Sequence, residues 1–201
     1  MNLFAAAAIA ALSFAQAQAQ AQAPAPAPAT TTAQPPQPPP PLPGLVAEVK
    51  TMYTNVHNYI TKSVEQFPAD KLAWQPTPAV RTWARLIGHI TDDNNGACYL
   101  LAGETTRPAR ADAPDGQESP ASKLSKEDLL KGYKESVERC NKAFAAVTEA
   151  NMGERNGTTG ARSKIGVLMY NTSHTNEHYG NIVTYMRLNN MVPPSSAPRG
   201  Q

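Results

Sequence analysis

The sequence predicts an all-α protein, a four-helix bundle that follows a low-complexity N-terminal region. Apolar residues recur every three or four positions in four separate segments after Gly44, which is the spacing of one buried helix face. No segment alternates polar and apolar positions with β-branched side chains, as a half-buried strand would. Amphipathic helices without strands bury their apolar faces by packing on one another, so a bundle is the expected architecture.

The predicted helices span residues 44–67, 81–102, 125–150 and 162–189. Pro68 ends the first helix because proline cannot continue the backbone hydrogen-bond pattern. Gly103 is suited to the C-terminus of the second helix. Ser125 is a good N-cap for the third helix, and acidic residues follow it in the first turn. Segments rich in proline or glycine separate the helices and are predicted to be loops.

The N-terminal region has a different composition, because no charged residue precedes Glu48. Residues 1–23 hold an apolar run too short to cross a bilayer, followed by Ala-Gln-Ala repeats that offer signal-peptidase sites. A basic residue near the start, typical of signal peptides, is missing. We therefore expect a signal peptide over 1–23 and a periplasmic or extracellular protein. The alternatives are an uncleaved Ala/Gln tail or a start codon assigned too far downstream.

Residues 24–43 are rich in proline and alanine, which favours extended polyproline II over a packed core. A disordered linker is predicted there, with the folded domain over 44–192 and a disordered tail over 193–201. That domain has about 150 residues, enough for one good core. No transmembrane segment is expected after processing.

The net charge of +2 comes from interleaved acidic and basic residues. Nucleic acid is therefore not an expected partner, since its binding depends on clustered Lys and Arg. The sequence has two cysteines, Cys98 and Cys140, on separate predicted helices. Independent buried thiols are the expectation, and a disulfide is left open should the compartment be oxidising.

The segment HTNEH places His174 and His178 four residues apart, on one face of the fourth helix. That face carries the apolar stripe, so both imidazoles are predicted to point into the bundle. Two buried imidazoles need partners that an apolar core lacks, and a divalent metal ion would satisfy both. The segment also matches H-x-x-E-H of inverted zinc proteases, but no acidic residue follows His178 to complete such a site.

The segments FPADKLAWQPTPAVRTWARLIGHITDDNNGACYLLAG and HTNEHYGNIVTYMR, in this order, resemble the DinB/YfiT-like family of four-helix bundles. The resemblance covers about residues 45–190. It implies that His89, His174 and His178 are the three metal ligands. One departure is Asn181, where many members have glutamine. Asn181 follows His178 by three positions, so it is expected to affect a contact of that histidine without removing a ligand.

Three neutral imidazoles would leave a coordination position open for water or substrate, as in catalytic zinc sites. Zinc or nickel is the expected ion, since both suit imidazole ligands. Three acidic residues lie within one helical turn of the predicted ligands: Asp92, Asp93 and Glu177. Glu177 and Asp93 are the candidates for a catalytic carboxylate, and each of the three could also orient an imidazole. Tyr170 and Tyr185 are expected to line the approach to the open position. His57 is expected at the surface or boundary of the first helix, and a position facing the site is left open.

The resemblance implies a metal-dependent hydrolase or a thiol-dependent transferase, with a small-molecule substrate or thiol as partner. Two alternatives remain open: a non-catalytic metal- or ligand-binding module, and a helical scaffold whose histidines are structural. A homodimer is likewise left open. The substrate itself is not encoded in any motif of the sequence.

Overall fold

The computed structural model describes residues 43–114, 116–155 and 162–198. These residues form four α-helices, and no strand is found among them. The helices are α1 (Leu45–Gln66), α2 (Trp83–Cys98), α3 (Lys126–Ala145) and α4 (Lys164–Leu188). The predicted all-α bundle is therefore confirmed. The predicted signal peptide, and the predicted linker up to residue 42, lie outside the described residues.

Side-chain caps explain where the helices begin. The Ser125 hydroxyl accepts a hydrogen bond from the backbone N–H of Asp128 at 3.1 Å, so the predicted N-cap of α3 is present. Helix α2 begins after Thr82 and ends at Cys98, four residues earlier than predicted, because turns lead the chain from there to Gly103. Gly103 has a φ of +82°, which favours glycine.

Helices α1 and α2 each pack against both α3 and α4, so the four helices form a closed ring in which α2 and α4 are neighbours. The core between them is made of large buried side chains, among them Ile60, Trp83, Ile87, Tyr133, Ile182 and Met186. No helix in the described part of the chain has the length and apolar content required to cross a bilayer.

The long connection between α2 and α3 is tied down onto α2. The carboxylate of Asp92 accepts hydrogen bonds from the backbone N–H groups of Ala111 at 2.7 Å and Asp112 at 2.9 Å. Gly88 allows the close approach, because a Cβ there would lie 2.7 Å from the Cβ of Ala121. The connection therefore runs beside His89 and fixes the position of Asp112.

Cys98 and Cys140 form a disulfide, with their Cα atoms 5.0 Å apart. The expectation of two independent thiols was wrong, because the register of α2 against α3 brings these two buried residues face to face. Helix period alone does not give that register.

The C-terminal segment is hydrogen-bonded to α4. Residues 193–198 include a short 3-10 turn, Pro194–Ser196. The Tyr179 hydroxyl donates to the hydroxyl of Ser195 at 2.9 Å and accepts the Ser195 N–H at 3.1 Å. Residues 199–201 lie outside the described part of the chain.

Candidate metal centre

Three histidines from neighbouring helices meet at one edge of the bundle. His89 lies near the middle of α2, and His174 and His178 lie one turn apart on α4. Each offers one ring nitrogen such that the three nitrogens lie within 4.8 Å of one another. The residues that the family resemblance implies as ligands are therefore brought together by the packing of α2 against α4.

The histidine rings are arranged around a common point. The Nε2 atoms of His174 and His178 lie 3.1 Å apart, and the ring of His89 stands 4.7 Å from that of His178 and 5.3 Å from that of His174. The Nδ1 atoms of His89 and His174 are buried without a hydrogen-bond partner among the described residues. Converging imidazole nitrogens fit a divalent metal ion.

The triad lies closer to the surface than the stripe on α4 predicts. His178 is buried, but the side chains of His89 and His174 keep 21% and 18% of their exposure. Solvent therefore reaches the histidines from outside the bundle. A bound ion would have a route to exchange, and so would a small molecule approaching it.

The environment keeps two of the three imidazoles neutral. Burial lowers the pKa of His178 to about 4, and the neighbouring His174, His89 and Arg81 act in the same direction. Burial also lowers the pKa of His89, helped by Arg81 and His174. A neutral imidazole has a free lone pair, which is the form that binds a metal ion.

Asp93 is the acidic residue that touches the triad. Its Oδ2 lies 3.1 Å from Nδ1 of His174, although the ring N–H is not aligned for a hydrogen bond. The carboxylate of Asp93 raises the pKa of His174, against the effect of burial. It lies one turn after His89 on α2, so helix spacing places it where it faces α4. A carboxylate at this nitrogen favours the tautomer with Nε2 free for a metal.

The other two predicted acidic candidates have different surroundings. Glu177 is exposed, and its charge acts on His174 only through space. Asp92 is buried and occupied by the backbone N–H groups of Ala111 and Asp112. The prediction that Asp92 could serve the triad is therefore wrong, because it holds the α2–α3 connection instead.

Three charged residues near the triad were not singled out from the sequence. Asp112, only 2% exposed, accepts hydrogen bonds from Nε of Arg81 at 3.0 Å and Nε of Arg85 at 2.9 Å. Its Oδ2 lies 3.9 Å from Nδ1 of His89. Burial opposes ionisation of Asp112, but hydrogen bonds from Arg85, Arg81 and Ser119 outweigh it and hold the pKa of this carboxyl below its usual value. A proline-rich connection gives no periodic signal that could have identified it.

The remaining histidine, His57, is not at the surface or boundary of α1 as predicted. It is 2% exposed, and its Nδ1 lies 2.6 Å from the hydroxyl of Tyr133 on α3. Burial lowers the pKa of His57 to about 4, against smaller effects of Asn171 and Asp93. It is not one of the three clustered histidines.

The two predicted tyrosines both lie at the site. Tyr170 stacks on the ring of His174 at 5.8 Å, and Tyr185 lines a cavity of about 400 Å³ that also contains His178. Asn181, the departure from the family pattern, lines the same cavity and places its amide nitrogen 3.2 Å from Nδ1 of His178. It therefore makes the outer contact to His178 that the sequence predicts.

Comparison with known proteins identifies the family. The DinB superfamily matches residues 52–182, which contain all three clustered histidines and most of the four helices. No curated protein matches the sequence. The match covers well over half of the chain, and the helical fold and the order of the motifs agree with it. This chain therefore belongs to the DinB superfamily.

Proposed function

We propose that this protein binds one divalent metal ion, zinc or nickel, through His89, His174 and His178 and uses it as a metal-dependent hydrolase or thiol-dependent transferase. The observation that carries the proposal is the convergence of three ring nitrogens within 4.8 Å at a solvent-accessible edge of the bundle. A scaffold whose histidines were structural would be expected to pair its ring nitrogens with separate protein groups and not to bring three of them together.

A bound divalent ion supplies Lewis acidity, which lowers the pKa of a water or thiol at an open coordination position. The chain's own residues set the conditions for this chemistry. Histidine binds a metal ion as the neutral imidazole, so three histidines would supply no anionic ligand to reduce the positive charge at the site. The carboxylate of Asp93 lies 3.1 Å from Nδ1 of His174, where its charge favours the tautomer with Nε2 free. Of the two candidate catalytic carboxylates, Asp93 is the better placed, because Glu177 is exposed and does not touch the triad.

The cavity beside His178 provides the space for a substrate. Its volume of about 400 Å³ suits a small molecule, and polar groups of Asn181 and Tyr185 line it together with apolar side chains. A substrate seated there would lie next to a ligand of the ion. This arrangement favours an enzyme over a non-catalytic metal-binding module.

Metal analysis of protein purified without a histidine tag tests the binding proposal. We expect about one zinc or nickel ion per chain, and a cobalt-substituted sample should show a visible spectrum that changes when azide or a small thiol is added. The change should depend on pH, because the added ligand competes with a titrating water. Absence of bound metal would favour the structural scaffold. A spectrum that responds to no added ligand would favour a closed, non-catalytic site.

We further propose that the protein is exported to the periplasm or the cell exterior. The uncharged, apolar N-terminal sequence with Ala-Gln-Ala repeats motivates this proposal. The disulfide between Cys98 and Cys140 supports it, since disulfides persist mainly in oxidising compartments. Mass spectrometry of the native protein should find an N-terminus between Gln18 and Pro24. An intact Met1 in a cytoplasmic fraction would contradict export.

A further inference from the structure

The cavity beside the triad has a distinct electrostatic character. One wall comes from α4, with His178, Asn181 and Tyr185, and the opposite wall comes from the segment before α2, with Thr77, Val80 and Arg81. None of the described residues that line it is acidic. Arg81 is the only lysine or arginine among these lining residues, so its guanidinium sets the charge that a molecule in the cavity meets.

Arg81 is held in place from two sides. Its Nε donates to Oδ2 of Asp112 at 3.0 Å, and its backbone carbonyl accepts a hydrogen bond from the Tyr185 hydroxyl at 2.8 Å. The terminal Nη atoms make no hydrogen bond within the described part of the chain, and 32% of the side chain is exposed. A fixed guanidinium with free terminal donors is a preorganised site for two oxygens of an anion.

The charge of Arg81 is partly offset. The carboxylate of Asp112 lies 3.0 Å from Nε of Arg81, so it reduces the positive charge of the guanidinium without occupying the Nη atoms. The charge of Arg81 also reaches the three histidines, where it helps to lower the pKa of His89 and His178 and opposes the rise in the pKa of His174. A single guanidinium already in contact with one carboxylate matches a singly charged carboxylate better than a doubly charged phosphate.

We infer that the cavity binds a small carboxylate-bearing molecule, whose carboxylate pairs with the Nη atoms of Arg81 while the rest of the molecule extends past Tyr185 toward His178. Leu86 and Val80 give this path an apolar side suited to a short carbon chain. The inference names a substrate class for the proposed metal site and rests on that proposal for the reacting end of the molecule. The carboxylate end rests on Arg81 alone.

The test compares two thiols of equal chain length, mercaptobutyrate and mercaptobutanol, titrated into cobalt-substituted protein and followed by the visible spectrum. In Arg81→Gln, we expect mercaptobutyrate to bind about 10- to 100-fold more weakly, the range for a lost charge-assisted contact. The affinity for mercaptobutanol should change less than about threefold, because this thiol has no charged group for Arg81 to bind. The affinity of Arg81→Lys for mercaptobutyrate should lie between those of the parent and of Arg81→Gln, since lysine keeps the charge but not the planar pair of donors.

Arg110→Gln is the matched control. Arg110 lies on the same α2–α3 connection as Asp112, and its Nε is 3.6 Å from Oδ2 of Asp92. Arg110 is exposed and does not line the cavity. The Arg110→Gln variant removes an equal charge nearby and should leave the affinity for both thiols unchanged. Equal weakening of both thiols in Arg81→Gln, or no weakening of mercaptobutyrate, would overturn the inference. Competition by inorganic phosphate as strong as that by butyrate would overturn the assignment to carboxylates.

A second readout separates this inference from the metal proposal. Saturation-transfer NMR of butyrate and butanol on metal-free protein reports the carboxylate site without any ion. If cobalt does not bind but the butyrate signal is lost in Arg81→Gln, the metal proposal fails and the carboxylate site stands. If cobalt binds and butyrate gives no signal that depends on Arg81, the carboxylate site fails and the metal proposal stands.

Discussion

Two parts of this bundle bury histidine, and they do so in different ways. His57, between α1 and α3, is 2% exposed and has a tyrosine hydroxyl 2.6 Å from its Nδ1. The triad between α2 and α4 brings three ring nitrogens within 4.8 Å and keeps contact with solvent. The pKa of both His57 and His178 falls to about 4, mainly through burial. A low pKa therefore does not distinguish a candidate metal ligand from a structural histidine, whereas convergence of ring nitrogens does.

The largest expected effect is on metal binding. His174→Ala should weaken zinc or nickel affinity by more than about 100-fold. Even the loss of a residue that only contacts a metal-ligating side chain costs about 10- to 100-fold, and His174 would itself be a ligand. Isothermal calorimetry with each ion would measure the change. His57→Ala is the matched control and should leave the affinity within about threefold. If the triple variant at His89, His174 and His178 binds as tightly as the parent, the assignment of the site is wrong.

The next effect concerns stability against pH in the metal-free protein. Burial first of all lowers the folded-state pKa of His57 to about 4, so the unfolded chain takes up the proton at higher pH, near 6.5. Stability should therefore fall as the pH drops from about 6.5 to about 4, with His57 contributing up to about 3 kcal/mol. His57→Gln should remove this part of the slope in chemical denaturation. Parallel curves for parent and variant would show that His57 titrates normally in the fold.

Asp93 offers a third, smaller effect on the triad. Asp93→Asn keeps the shape of the side chain but removes the charge beside Nδ1 of His174. We expect metal affinity to fall about 10- to 100-fold, as for other outer partners of metal-bound histidines. The pKa of His174, followed by NMR, should fall as well, since Asp93 raises it. Glu177→Gln is the control, and an equal loss there would mean that only net charge matters.

The smallest effect belongs to the region of His57. Tyr133→Phe removes the hydroxyl near its Nδ1 and should cost about 1 kcal/mol of unfolding free energy, the usual net value of a buried hydrogen bond. Metal affinity should not change, because the tyrosine does not touch the triad. A loss of affinity without a loss of stability would show that the two regions are coupled and would break the comparison.

The sequence was informative where the chemistry follows the helix period. The four helices, the Ser125 cap and the facing of His174 and His178 depend on residues close together in the chain, and all are present in the structure. His89 could be joined to them only through the family resemblance. Spacing along one helix cannot show which neighbour it packs against.

The features that the sequence did not predict depend on how distant segments meet. The contact of His57 with Tyr133 and the disulfide from Cys98 to Cys140 both need the register between helices. Asp112 lies near the triad because Asp92 binds the backbone of the α2–α3 connection. From the sequence, Asp92 was instead expected as a residue that could orient an imidazole. Arg81 lies in the segment that resembles the family, but its free donors become visible only beside the cavity.

The disulfide also affects how the protein would respond to cleavage by a protease. It closes a ring across a sequence separation of 42 residues, and the whole connection between α2 and α3 lies inside that ring in the sequence. A protease that cleaved this connection would leave both fragments covalently joined through Cys98 and Cys140. The nicked molecule would remain one covalent unit made of two disulfide-linked fragments, so cleavage alone would not release either half of the bundle.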